Sequence, residues 1–290
     1  MRYFLLLPFF LCFSLSSIGQ KRDSLLYCAY MENSPAQLEQ FFDNWSAETP
    51  LVSDSALGCL NDTIQNVHLV YRSFYNPTDT NKTGGAKWVT AAYSKVKYLL
   101  LQDEISYGFV KTLDKETVLQ NRLKQFAKGD TARLRTLLDQ YKGKKRRLEM
   151  DFLHWPGANH YTQLTGFRPQ LEIDKPIAVV LTADYEHLLN AFLGSKRYKP
   201  GTGSIMLPAE SERESRRRKA FLENDIKIWS GQWDFYWQFA SLPHVDRITF
   251  DENFEHAVVD YRMDYEGGYG YLKKVNGAWE VIEVRSVWIR

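Results

Sequence analysis

The chain has 290 residues, of which 44% are hydrophobic and 14% aromatic, and a formal charge of +2. That is enough apolar material for one large or two modest cores. A charge so near balance gives no electrostatic footprint for a nucleic-acid partner.

Arg2 followed by the apolar run Phe4 to Leu15, with small residues at Ser17 and Gly19, reads as a cleavable secretory signal over residues 1–19, cut between Gly19 and Gln20. This makes the chain an exported one, periplasmic or extracellular. The run is shorter than the roughly 20 residues a membrane span needs, and no later stretch is apolar enough, so no integral membrane anchor is expected. Removal of the signal takes Cys12 with it and leaves Cys28 and Cys59 as an even pair for a disulfide, or as two free thiols.

Ser34-Pro35-Ala36-Gln37 predicts a helix start with Ser34 as N-cap, and Leu38, Phe41, Phe42 and Trp45 form its apolar stripe. Asp62 is expected to cap a second helix, striped by Ile64, Val67, His68, Tyr71, Phe74 and Tyr75 and ended by Pro77. Residues 78–87 read as a loop, and Val96 to Val110 as one or two strands. Helices are expected over Glu116 to Ala127 and Thr131 to Tyr141, then a strand near Arg147 to Leu153. A buried strand at Ile177 to Leu181 leads to a helix over Asp184 to Leu193 that Gly194 can cap.

Residues 198–208 are the linker candidate, which divides the mature chain into an α+β region over 20–200 and a helix with an antiparallel meander over 205–290. Asn276-Gly277 marks a tight hairpin, with Lys273 facing Glu280, Tyr271 facing Ile282 and Tyr269 facing Val284. Helices and strands mix without regular alternation, so the fold class is α+β, with helices packed on a mixed or antiparallel sheet.

A helix followed by a meander ending in YGYLKKVNGAWEVIEVRSVWI resembles, over the last third of the chain, the NTF2-like cone folds. Such folds host both enzymes and binding modules, and the resemblance assigns no site residue. Separately, LNDTIQNVHLVYRSFYNP with GGAKWVTAAYSKVKYLLLQDEI resembles a family of uncharacterised exported proteins of Gram-negative bacteria.

No motif calls for a cofactor. Asp151, His154 and His160, around Trp155-Pro156-Gly157, could converge on a metal ion, and a plain turn explains the same residues. His256 and Asp260 share one strand face and become an acid-base pair if the sheet curls round a pocket; an open sheet makes that face a solvated charge ladder. The basic run Lys142, Lys144, Lys145, Arg146 and Arg147 reads as a solvated helix end, or as a surface for an anionic glycan or membrane. The expectation is a non-catalytic module whose partner is a small ligand or an envelope protein, with a hydrolase or isomerase as the alternative.

Overall fold

The computed structural model describes residues 22, 24–79, 87–169, 171, 173, 175–194, 209–230, 237–264 and 266–289. The signal segment 1–19, the linker 198–208 and most of loop 78–87 lie outside them. The chain is α+β and divides into two compact units, each assembled from three stretches rather than one. The first takes the described residues up to Val52, with Ala91–Asp103 and Ile173–Ser241; the second takes Ser53–Thr90, Glu104–Glu172 and the residues from Leu242 onward.

Elements are numbered in chain order. In the first unit, residues 24–31 are helical (α1) and α2 is Pro35–Glu48. Ser34 Oγ accepts the Gln37 N–H as expected, but Gln37 turns its amide to Glu32 at 2.7 Å instead of closing the box. The stripe Leu38, Phe41, Phe42 and Trp45 is buried against the parallel pair β1 (Tyr98–Gln102) and β4 (Ile177–Leu181) and against α9 (Ala183–Leu193). Trp45 is wholly enclosed: its ring lies flat on Tyr185 at 4.1 Å, and Nε1 donates to the Val180 carbonyl at 2.8 Å. Gly194 caps α9 at φ 67°, a conformation that favours glycine. Helix α10 (Ala209–Leu222) carries the expected pairs Glu212–Arg216 and Glu214–Arg218, and the ribbon β5 (Trp229–Ser230) with β6 (Trp237–Gln238) completes the unit.

The second unit is built on a six-stranded sheet of order β10-β9-β8-β7-β2-β3. The expected meander is its larger part: β7 (His244–Asp251), β8 (His256–Met263), β9 (Glu266–Val275) and β10 (Ala278–Ile289), all antiparallel neighbours. Strand β2 (Glu104–Val110) extends it in parallel to β7, and β3 (Tyr161–Thr165), unforeseen, pairs with β2. Asn276 and Gly277 turn the last hairpin at φ 52° and 83°.

One face of this sheet carries α4 (Asp62–Phe74), whose N-cap is Asn61 rather than Asp62; Asn61 Oδ1 accepts the Ile64 N–H at 3.0 Å. Val67, Val70, Tyr71 and Phe74 of α4 are buried, and Phe74 lies so close over Gly270 that a Cβ there would sit 2.5 Å from its ring. His68 is enclosed on the same stripe against Phe167, and burial lowers its pKa from 6.5 to about 4. The unfolded chain therefore binds a proton that the folded one refuses between those two values, so stability rises with pH across that window. Urea melts should lose about 3 kcal/mol from this residue between pH 6.5 and 4, and His68→Phe should lower the observed pH dependence by that share. An unchanged slope would refute the assignment.

Against the other face lie α6 (Lys115–Phe126) and α8 (Lys145–Phe152), and α7 (Thr131–Gln140) joins them in a small core of Val118, Leu119, Leu123, Leu137 and Leu153. Helix α8 replaces the strand expected near Arg147 to Leu153. Leu148 and Phe152, one turn apart, pack on that core while Glu149 points to the sheet and Met150 to water, which a strand's alternation cannot do. Short α3 (Asp54–Leu57) precedes α4, and α5 (Lys87–Tyr93) precedes β1.

Cys28 and Cys59 are not bridged. Both are exposed free thiols, one in each unit, and the Cys59 thiol donates to the Ser55 carbonyl of its own turn at 3.4 Å.

Candidate functional site

Alternation along the strands gives the second unit's sheet two unlike faces. Ala257, Val259, Tyr261 and Met263 of β8 are all buried, and Tyr261 meets Phe74 of α4 at 5.3 Å. His256, Val258, Asp260 and Arg262 point the other way, level with Lys273, Tyr271, Tyr269 and Gly267 of β9. The polar residues collect on that second face.

Strand β10 adds to this face through an irregularity. The hairpin register holds through Lys273 opposite Glu280 and Leu272 opposite Val281, then a bulge at Ile282 shifts it, so Tyr271 faces Glu283 and Tyr269 faces Arg285. Ile282 itself is 53% exposed. The expected pairing of Tyr271 with Ile282 and Tyr269 with Val284, an aromatic-aliphatic ladder, is thereby replaced by an ionic cluster. Lys115 Nζ lies 2.8 Å from Glu283 and 3.0 Å from Glu149; Arg285 binds Glu149 at 3.2 Å and also Glu283. Two cations and two carboxylates balance, which offsets the cost of placing Glu149 at 8% exposure. Beside them Trp155 stacks on Tyr271 at 4.6 Å, and burial, then the nearby Asp114 charge, pushes the Tyr271 hydroxyl up to about 12.

His256 and Asp260 share the face but not a partner. Four positions along a strand place them about 13 Å apart. His256 pairs instead with Asp251, Nδ1 to Oδ2 at 2.8 Å, in the turn between β7 and β8. The other Asp251 oxygen accepts the backbone N–H groups of Glu255 and His256 at 2.8 and 3.1 Å. Both side chains are only 7% exposed. The carboxylate thus orients the imidazole through Nδ1, and the enclosed Nε2 has no hydrogen-bond partner among the described residues. With Glu255 they form the one group of three ligand atoms within 4.8 Å that the described residues offer a cation. Sequence reasoning missed Asp251, which ends β7 four residues before Glu255 and five before His256.

Asp151, His154 and His160 form no such group. Asp151 accepts from the Tyr141 hydroxyl at 2.6 Å, the His154 carbonyl accepts from Arg122, and all three side chains are exposed.

Asp260 lines a cleft of about 460 Å³ with Ser106, Tyr161, Asp246, Arg247 and Gly268. Its carboxylate accepts from Arg247 Nε at 2.6 Å, and that guanidinium sits 5.1 Å over the Tyr161 ring. Tyr161 is held in turn by Thr249 Oγ1 at 2.9 Å and by the Ala158 N–H at 3.1 Å. Arg262 Nε reaches both oxygens of Asp246, at 2.7 and 3.0 Å. Burial raises the Asp260 pKa above the ordinary carboxylate value against the opposing pull of Arg247, and burial lowers neighbouring His244 to about 4. The cleft thus presents acceptors, donors and the aromatic residues Tyr161 and Tyr261, with its charged groups paired across neighbouring strands. Among family models, curated proteins and solved structures there is no match to this chain.

Proposed function

We propose that this protein is an exported, non-catalytic binding module that holds a small polyhydroxylated molecule, of mono- or disaccharide size, in the cleft around Arg247, Asp260 and Tyr161. The observation that carries this is a 460 Å³ cleft whose two carboxylates, Asp246 and Asp260, are each engaged by an arginine of the neighbouring strand. The volume is within the range of small-ligand sites. Planar charged side chains fixed beside an aromatic ring can offer paired hydrogen bonds to adjacent hydroxyls and a flat surface to the C–H side of a sugar ring. A carboxylate engaged by an arginine serves as an acceptor without having to take a proton.

Export rests on the first nineteen residues, and sequencing the N-terminus of the secreted product should give Gln20. For the ligand, calorimetry with a panel of neutral and acidic mono- and disaccharides should find at least one that binds. Asp260→Asn, which keeps the shape of the cleft, should weaken that binding at least tenfold. A folded Asp260→Asn protein that binds as tightly as wild type, or a panel without a binder, would remove the reading.

A second reading has one observation in its favour, the imidazole of His256 oriented by Asp251. A hydrolase or isomerase would use its Nε2 as base, and loss of a measured turnover in His256→Gln with the fold intact would support that reading over the first.

A further inference from the structure

The polar cleft leaves one sequence feature unused, the basic run after α7. Seven cations lie between Arg133 and Arg147, with Asp139 the one acidic residue among them. All seven are exposed. Lys145 approaches Glu116 at 3.9 Å and Arg147 approaches Asp151 at 3.7 Å, contacts too long and too exposed to fix either charge. Arg135, Lys142, Lys144 and Arg146 have no acidic partner within 4 Å among the described residues.

A solvated helix end accounts for cations alone. It does not account for the apolar side chains set among them. Phe126 is 49% exposed, Leu138 38% and Met150 63%. Each has a cation beside it: Arg133 sits 5.1 Å over the Phe126 ring, Arg135 is one turn before Leu138, and Arg146 and Arg147 are one turn before Met150. Lys142 and Lys144 occupy the turn between α7 and α8. Long cationic side chains beside shallow apolar ones match the layered chemistry of a bilayer surface, with anionic headgroups outside and acyl chains below. A soluble polyanion would satisfy the charges and leave the apolar groups in water. No helix among the described residues is long and apolar enough to cross a membrane, so contact would be peripheral.

We infer that α6, α7 and α8 form a docking surface for an anionic lipid bilayer, held by the cations of residues 133–147 with shallow insertion of Phe126, Leu138 and Met150. Each cation near such a surface adds on the order of fivefold to partitioning, and salt weakens the attraction because the screening length is only about 10 Å at 0.1 M.

The test is co-sedimentation of the full chain with vesicles of phosphatidylcholine alone and of phosphatidylcholine with 30% phosphatidylglycerol. Binding is expected only to the second. Lys144→Glu, Lys145→Glu and Arg146→Glu together should lower it more than tenfold, and Phe126→Ser with Met150→Ser should lower it severalfold, while Met150→Ser alone, at a 63% exposed site, lowers it and leaves the melting curve unchanged. Equal binding to neutral vesicles, or none to anionic ones, overturns the inference. So does full competition by dextran sulfate together with normal binding by the serine variant, an outcome that assigns the surface to a soluble polyanion.

Discussion

Replacing Trp45 with alanine should cost about 4 kcal/mol of stability, read as a shifted urea midpoint for the first unit. The indole is wholly buried, lies at an interplanar angle of 2° on Tyr185, and donates to the Val180 carbonyl. The substitution removes the stack and the hydrogen bond and leaves a cavity between α2 and β4. Trp45→Phe separates these contributions. It keeps most of the apolar volume and loses the donor, so about 1–2 kcal/mol is expected. A loss below 1 kcal/mol for the alanine variant would mean that this core does not hold α2 in place.

The second large effect belongs to Asp251. Its carboxylate receives two backbone N–H groups and the His256 ring in a turn where both side chains are 7% exposed. Asp251→Ala leaves three donors, two of them buried, without an acceptor, at a cost of about 3–5 kcal/mol. Asp251→Asn retains one oxygen for the two backbone groups and should cost less than half as much. Nitrogen NMR of the imidazole adds a readout that simple destabilisation does not move: the wild type should carry its proton on Nδ1, and the asparagine variant should lose that preference. A wild-type ring protonated on Nε2 would contradict the arrangement.

The fold class, the first helices and the meander were readable because each follows one strong period. Leu38, Phe41, Phe42 and Trp45 recur as a helix requires, and the residues of β8 alternate as a half-covered strand requires. Where two periods fit, reading failed. Leu148, Met150 and Phe152 alternate with acidic residues as a strand would, yet they form α8, because Leu148 and Phe152 are also one helical turn apart and find a small core waiting. The site was half legible for a related reason. Alternation placed His256 and Asp260 on one face, but partners across strands depend on register. A single extra residue at Ile282 brought Glu283 and Arg285 opposite Tyr271 and Tyr269. Asp251 stayed hidden because a turn residue's partners are set by backbone geometry that no local pattern announces.

The interleaving of the two units has a consequence for how the chain is made. Strand β2 is complete early, but its neighbour β7 and everything beyond it come from the residues after Leu242, and the first unit likewise waits for residues up to Ser241. A nascent chain that has reached residue 200 holds neither finished body, and the edge of β2 that β7 will cover is bare. Fragments ending there should aggregate rather than fold, and translational stops or proteolytic nicks in the middle of the chain should be as damaging as loss of the last hairpin. Late closure also leaves a long interval in which a holding chaperone can grip the chain.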